Sequence, residues 1–270
     1  MRCVTLVFLA ALAYASLPAA AQQPGPDTVA RLKSIVAGDQ RPEREKARDR
    51  YRNPVETLAF FSIRDDMTVV EVWPGGGWYT RILAPLLKER GQLYLAAYEP
   101  GLIIRNAANA QREEVAAKPA VYGKPVFTVL EKGKYEIAPA RSADLVLTFR
   151  NLHNWMDAGD ADDVFKAMFR ALKPGGALGL VEHRANPGPQ DPKAKNGYVT
   201  EEHVIKLAEA AGFKLVARSE LNANPKDTKD HPRGVWTLPP SYALKDTDRE
   251  KYAAIGESDR MTLKFVKPAN

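Results

Sequence analysis

Cysteine is nearly absent. The 270-residue chain has one, Cys3, so no intramolecular disulfide and no multi-thiolate metal site is available. Histidine is scarce too, with four, and no H-E-x-x-H or comparable helical spacing marks a zinc site. No block of one-signed charge exists. The net charge is +6, but basic residues alternate with acids, as in Arg41-Pro-Glu-Arg-Glu-Lys-Ala-Arg-Asp-Arg50. That mixture reads as a solvated helix face and argues against nucleic acid as a partner. There is no internal repeat, and no G-x-G-x-x-G follows a strand.

The one long apolar run lies at the start. Arg2 precedes Val4 to Leu17, and Leu17-Pro-Ala-Ala-Ala21 closes the run with small residues. The run is shorter than the roughly 20 residues of a spanning helix. It reads as a secretory signal peptide, residues 1–21, cleaved after Ala21. Cleavage removes Cys3 and leaves no membrane span, which places the mature chain in the periplasm or outside the cell. A helical extension is expected over 22–66, with helices at Thr28 to Ala37 and Pro42 to Tyr51 and another opened by Asn53-Pro54.

From 67 to 270 one domain is expected, in which strands and helices alternate. The strands are Thr68 to Val72, Leu93 to Tyr98, Val126 to Leu130, Ala143 to Phe149, Ala177 to Val181, Leu215 to Ala217 and Met261 to Val266. Helices are expected over Trp78 to Arg90, Gly101 to Ala117, Asp160 to Leu172 and Thr200 to Ala211, the last capped by Thr200 and ended by Gly212. This pattern predicts an α/β fold: a doubly wound, seven-stranded, mostly parallel sheet with helices on both faces. The long helix-poor stretch Asn222 to Ser258 predicts an antiparallel edge built with the last strand.

In such a sheet ligands bind at the carboxyl ends of the strands, where the winding reverses. The first strand runs into Glu71-Val-Trp-Pro-Gly-Gly-Gly77, a loop that brings backbone close to a ligand and leads into a helix N-terminus. Glu71 lies in that strand just before the loop, and Glu99 lies at the end of the next. A carboxylate at the second position suits ribose hydroxyls.

Val70-Glu-Val-Trp-Pro-Gly-Gly-Gly-Trp-Tyr79 resembles the first motif of the class I S-adenosylmethionine (SAM) dependent methyltransferases. Leu172-Lys-Pro-Gly-Gly-Ala-Leu-Gly-Leu-Val181 resembles their late helix–turn–strand motif, and Asp144 to His153 their fourth strand and active-site loop. The whole chain looks most like a group of exported predicted bacterial methyltransferases with a Trp-Pro-Gly-Gly-Gly-Trp-Tyr loop. The resemblance implies SAM as cofactor, with Glu71, Gly75 and Gly77 holding its methionine end, Trp73 among the cofactor-binding residues, Glu99 on the ribose and Asn151 on the far side. It implies a small-molecule acceptor. Two departures stand out: Trp73 replaces a glycine of the wider family, and no aspartate for adenine follows the third strand, where Glu131 is the nearest acid. An exported binding protein that kept the fold without transfer activity is the alternative.

For chemistry at the acceptor, His153 and His183 follow strands at the carboxyl edge and are the expected acid–base residues. His203 reads as a surface residue and His231 as a loop residue. Trp73, Trp78, Tyr79 and Trp155 are expected near the mouth, Tyr198 and Arg260 at its rim, and Pro225 to Pro240 as a wall or lid. Oligomeric state leaves no trace in the sequence.

Overall fold

The structure is a computed structural model that describes residues 24–99 and 106–269. The expected signal peptide and the start of the helix expected from Gly101 lie outside the described residues. Among the described residues four helices come first: α1 (Pro26–Ala37), α2 (Glu43–Lys46), α3 (Asp49–Arg52) and α4 (Pro54–Phe60). The helix expected over Pro42 to Tyr51 is two single turns, because the chain bends at Ala47 and Arg48. Pro54 opens α4 as expected, behind Asn53 at φ 40°.

The alternating region follows: β1 (Thr68–Val72), α5 (Thr80–Leu87), β2 (Gln92–Ala97), α6 (Asn106–Ala117), α7 (Pro119–Tyr122), β3 (Val126–Glu131), β4 (Lys134–Glu136), β5 (Ala143–Phe149), α8 (Leu152–Ala158), α9 (Ala161–Ala171) and β6 (Leu172–His183). It ends with α10 (Glu201–Ala210), β7 (Lys214–Ser219), a 3-10 turn (Gly234–Thr237), α11 (Arg249–Ile255) and β8 (Arg260–Val266). Thr200 caps α10 as expected, accepting from His203 N at 3.3 Å.

The sheet has eight strands, not seven, in the order β4-β3-β2-β1-β5-β6-β8-β7. The extra strand is β4, paired antiparallel to β3 across a turn in which Gly133 has φ 84°. Three residues are too few to show alternation, so the sequence gives no sign of it. β1, β2, β3, β5 and β6 run parallel, while β8 lies antiparallel between β6 and β7. The antiparallel edge predicted from the last strands is present. No helix among the described residues is long and apolar enough to cross a membrane.

Alternation along β1 assigns its side chains to two layers. Val70 and Val72 pack with Phe165 and Met168 of α9. Val69 packs with Ile82 and Leu83 of α5 and with Leu32 and Leu58 of the first helices. Glu71 shares the Val69 face and points under α5. The chain winds outward from β1 through β2 and β3, then returns to the other side at β5. The reversal therefore opens a crevice beyond the carboxyl ends of β1 and β5, as doubly wound sheets require.

Candidate functional site

Glu71 is paired laterally with Leu95 and Leu147 and is 2% exposed. Among the described residues one hydrogen bond serves its carboxyl: Thr80 Oγ1 donates to Oε2 at 2.6 Å, and Gln111 Nε2 donates to that Oγ1 at 2.5 Å. Burial pushes the Glu71 carboxyl up to about 7, against the opposing pull of Thr80 and Arg81. The residue is thus poised to ionise fully when a cation arrives.

Beyond it the chain turns through Trp73 (φ 47°), Gly75 (φ 57°) and Gly77 (φ 83°). A side chain at Gly75 or Gly76 would meet nothing within 4 Å. Neither N–H has a hydrogen-bond partner among the described residues, and both glycines are exposed, so two amide donors are left for solvent or a ligand. Gly77 plays another part: a Cβ there would approach Gln111 Cγ to 3.0 Å, so this glycine lets α6 close on the loop. The helix begins at Thr80 rather than Trp78, since Gly77 N bonds back to Pro74 O and Trp78 and Tyr79 lie in the turn.

Trp73 takes the left-handed backbone that glycine adopts at no cost. Its indole leaves the glycine loop. Nε1 donates to Leu130 O at 2.9 Å at the end of β3, and the ring packs against Tyr98 and Trp155, with centroids at 4.6 and 5.6 Å. The indole therefore lies across the tips of β1, β2 and β3. Glu99, beyond β2, is exposed and ion-paired with Lys134, which also reaches Glu131 at 3.4 Å. Asn151 Nδ2 donates to Val72 O at 2.9 Å and to Thr148 Oγ1 at 3.2 Å, tying the tips of β1 and β5 together.

A cavity of about 460 Å³ lies over this loop, bounded by Glu71, Trp73, Gly75, Gly76, Arg150 and Asn151. Trp78, Tyr79 and the short helices close its far side. Tyr79 stacks on Phe149 at 3.5 Å, and Trp78 lies under Arg41 and Arg52, each 4.8 Å from its ring. Trp155 is fully buried core, not mouth.

A second cavity of about 390 Å³ adjoins it and shares Arg48, Arg52, Arg150 and Pro240. Here the structure brings His153 and His183 together, ring centroids 5.4 Å apart. Glu182, 1% exposed, orients both. Its Oε1 meets His153 Nδ1 at 3.1 Å and accepts from His183 N at 2.8 Å, and its Oε2 accepts from Leu152 N at 2.7 Å. His183 Nδ1 lies 2.5 Å from Ser258 Oγ. Each ring keeps Nε2 free of partners among the described residues. Burial holds His183 well below the usual imidazole value, with His153 and three arginines adding to the effect. It is a neutral base at physiological pH. The expected wall is present: Trp236, Pro239 and Pro240 line this cavity, and Trp236 meets His153 edge-on at 5.8 Å.

The three potential metal ligands His153, Glu182 and His183 offer atoms within 4.8 Å of one another. Both Glu182 oxygens are already committed, however, and Arg52, Arg150 and Arg260 oppose a cation. His203 is half-buried on α10, and His231 is tied by Nε2 to Asp227 at 2.8 Å. Tyr198 OH also lies 3.0 Å from Asp227, in the loop framework behind the wall.

Of one group the sequence shows only Arg260, expected at the rim. Arg48, Arg52 and Arg260 converge on Glu257 at 2.6, 3.1 and 3.1 Å. The charged run of residues 41–50 is a solvated face only in part: Glu43, Arg44 and Arg50 are exposed, while Arg41 and Glu45 are buried. Arg41 is 1% exposed and grips Asp49 at 2.6 and 2.8 Å, and Arg48 turns inward. The signal was there only as arginines spaced four apart, at 44, 48 and 52.

Residues 70–180 match the family model described as "Methyltransferase domain". No curated protein matches the chain. Solved structures share its fold at low identity. A SAM-dependent methyltransferase from Aquifex aeolicus is 16% identical, with 88% of this chain and 98% of that one covered and a TM-score of 0.55. The [4+2]-cyclase SpnF is 16% identical, covering 90% and 94%, with a TM-score of 0.60. Phosphoethanolamine N-methyltransferase 2 of Haemonchus contortus is 18% identical, covering 81% and 53%, with a TM-score of 0.54. The matched segment holds Glu71, the glycine loop, Glu99, Asn151 and His153, but neither His183 nor the arginines of the short helices. The chain has the class I methyltransferase fold, and the methyltransferase-domain match over 70–180 includes the glycine loop that lines the crevice.

Proposed function

We propose that this chain is a SAM-dependent methyltransferase that acts on a small molecule outside the cytoplasm. The observation that carries the reading is the cradle at the tip of β1: two unpartnered amide donors at Gly75 and Gly76 beside the buried carboxyl of Glu71. That donor set fits the methionyl end of SAM, whose carboxylate takes N–H donors and whose ammonium takes a carboxylate. Trp73, packed on Tyr98, lines the same cavity, and Glu99 follows Tyr98 beyond β2. The methyltransferase-domain match over 70–180 supports the same reading, and the apolar leader at 1–21 supports export.

When bound, SAM supplies an electrophilic methyl group, so the protein's work is positioning and proton handling. Gly75, Gly76 and Glu71 hold the cofactor's polar end, and Asn151 fixes the two strand tips that border it. Neutral His183 takes the acceptor's proton at Nε2, and its Nδ1 contact with Ser258 sets the ring. His153, oriented by Glu182, holds the acceptor beside it.

Calorimetric titration with SAM and with S-adenosylhomocysteine tests the reading. Binding near micromolar, about −8 kcal/mol, that weakens in Glu99→Ala is expected. His153→Ala lowers turnover and leaves SAM affinity nearly unchanged. No binding of either compound at millimolar concentration overturns the reading. Trp73 favours one alternative, a non-methylating protein on this fold, since its indole crosses the strand tips where an adenosyl group is expected. The similar structure named as a [4+2]-cyclase makes the fold alone an insufficient guide.

A further inference from the structure

The two cavities are joined by charge as well as by shared walls. Four guanidinium groups, those of Arg48, Arg52, Arg150 and Arg260, surround the single carboxylate of Glu257. Three of them use it. Arg150 does not: its side chain has no hydrogen bond and no ion pair among the described residues, although it lines both cavities. Two other nearby acids are committed elsewhere, Glu45 to Arg81 at 2.8 Å and Asp259 to Arg184 and Lys229 at 3.0 and 2.9 Å, and Glu71, which lines the first cavity, is hydrogen-bonded to Thr80.

The backbone holds Arg150 in this position at a cost. It sits at φ 61°, a left-handed conformation disfavoured for a side chain of this size, and is fixed there by Arg150 N donating to Val181 O at 2.7 Å. Burial, with Arg260 as a like-charged neighbour, lowers the Arg150 guanidinium to about 10, and Arg52 falls to about 9. Both remain charged at neutral pH. A partly buried, unpaired cation on strained backbone is unfavourable in the empty protein and becomes favourable once an anion enters. The location is specific: Arg150 stands between Asn151, on the cradle side, and the pair His153 and His183.

We propose that the methyl acceptor carries an oxyanion, a carboxylate or a phosphate, that Arg150 holds between the glycine cradle and the two histidines. Its flat guanidinium offers paired donors to either group. Arg52 and Arg48 add charge from the helix side. Calling the ligand a methyl acceptor rests on the function proposed above; the oxyanion site itself does not.

The test uses the purified full chain at low ionic strength. Benzoate and inorganic phosphate are titrated separately by calorimetry, with and without saturating S-adenosylhomocysteine. One of them binds, which separates carboxylate from phosphate, and it still binds when S-adenosylhomocysteine is present. Arg150→Gln weakens that binding by about tenfold or more, while the dissociation constant of S-adenosylhomocysteine stays within about threefold. Arg150→Lys, which keeps the charge, retains part of the affinity. A raised melting temperature of ligand-free Arg150→Gln is the independent sign that an uncompensated charge has been removed. Competition between the anion and S-adenosylhomocysteine overturns the proposal, because it gives Arg150 to the cofactor's own carboxylate. Binding unchanged in Arg150→Gln, or no binding of either anion up to about 10 mM, overturns it too. Anion binding that depends on Arg150 without any binding of S-adenosylhomocysteine keeps the oxyanion site and removes the methyltransferase reading.

Discussion

Glu71→Gln separates the electrostatic cost of the cradle from its shape. The glutamate is 2% exposed and has one hydrogen-bonding side chain, Thr80, as partner. Its carboxyl titrates near 7 in the folded protein against an ordinary 4.5. Between those values the folded state binds more protons than the unfolded one, so stability falls as pH rises through the window and the loss is complete above about 7. The gap corresponds to about 3 kcal/mol. Glutamine keeps an oxygen acceptor for Thr80 Oγ1 and never ionises. The variant should match the wild type near pH 4.5 and exceed it by about 3 kcal/mol near pH 8.5. Urea unfolding of both proteins across that range measures the difference, in which all other titrating groups cancel. Curves that stay parallel would refute the burial argument. The same ionisation predicts that wild-type affinity for SAM, whose ammonium needs the carboxylate, rises with pH through 7, while that of the variant stays flat.

Four further outcomes follow from the geometry. Glu257→Gln leaves Arg48, Arg52 and Arg260 without their counter-ion and should cost about 3–5 kcal/mol in denaturant unfolding. In the wild type those arginines hold Glu257 near 2, so its stabilisation is complete above about 4.5 and disappears as pH falls toward 2; the variant's acid-unfolding profile should lack that step. Trp73→Gly should be more stable than Trp73→Ala by about 1 kcal/mol, because φ 47° strains alanine and not glycine; equal stabilities by urea titration would remove the strain argument. Because His183 stays neutral well below 6.5, the acidic limb of kcat/KM should lie below that value and vanish with His183→Ala in whatever turnover remains. Gly234→Ala, with φ 55° and a Cβ forced to 2.1 Å from Asn196 O, should displace the Trp236 wall and raise KM more than it lowers kcat.

The sheet was readable because its signals are local. Thr68 to Val72 and Ala143 to Phe149 appear at the expected boundaries, since β-branched and apolar runs bounded by polar residues encode strands without help from elsewhere. Thr200 and Gly212 mark the ends of α10 for the same reason. β4 escaped because its only support is the hairpin with β3, and three residues carry no period. Trp73 was visible as a departure from glycine. Its consequence was not, because the direction of the indole depends on Leu130, Tyr98 and Trp155, which lie on three other segments.

The arginines show why the site was only half legible. A charged residue in a sequence has a sign but no direction. The run at 41–50 has the composition of a solvated helix, and nothing within it reveals that Arg48 points at a carboxylate more than two hundred residues away. Glu257 in turn reads as an ordinary loop acid until β8 brings it beside β6 and the short helices fold over it. Arg150 stood in plain view next to Asn151 and His153, yet its meaning lies in the lack of a partner, and absence of a partner is a property of the folded charge balance alone. The glycine cradle, by contrast, is built from contiguous backbone and so announces itself. A loop of contiguous backbone can be read from spacing; a cluster gathered from α3, α8, β6, β8 and the turn after β5 can be read only from the assembled field.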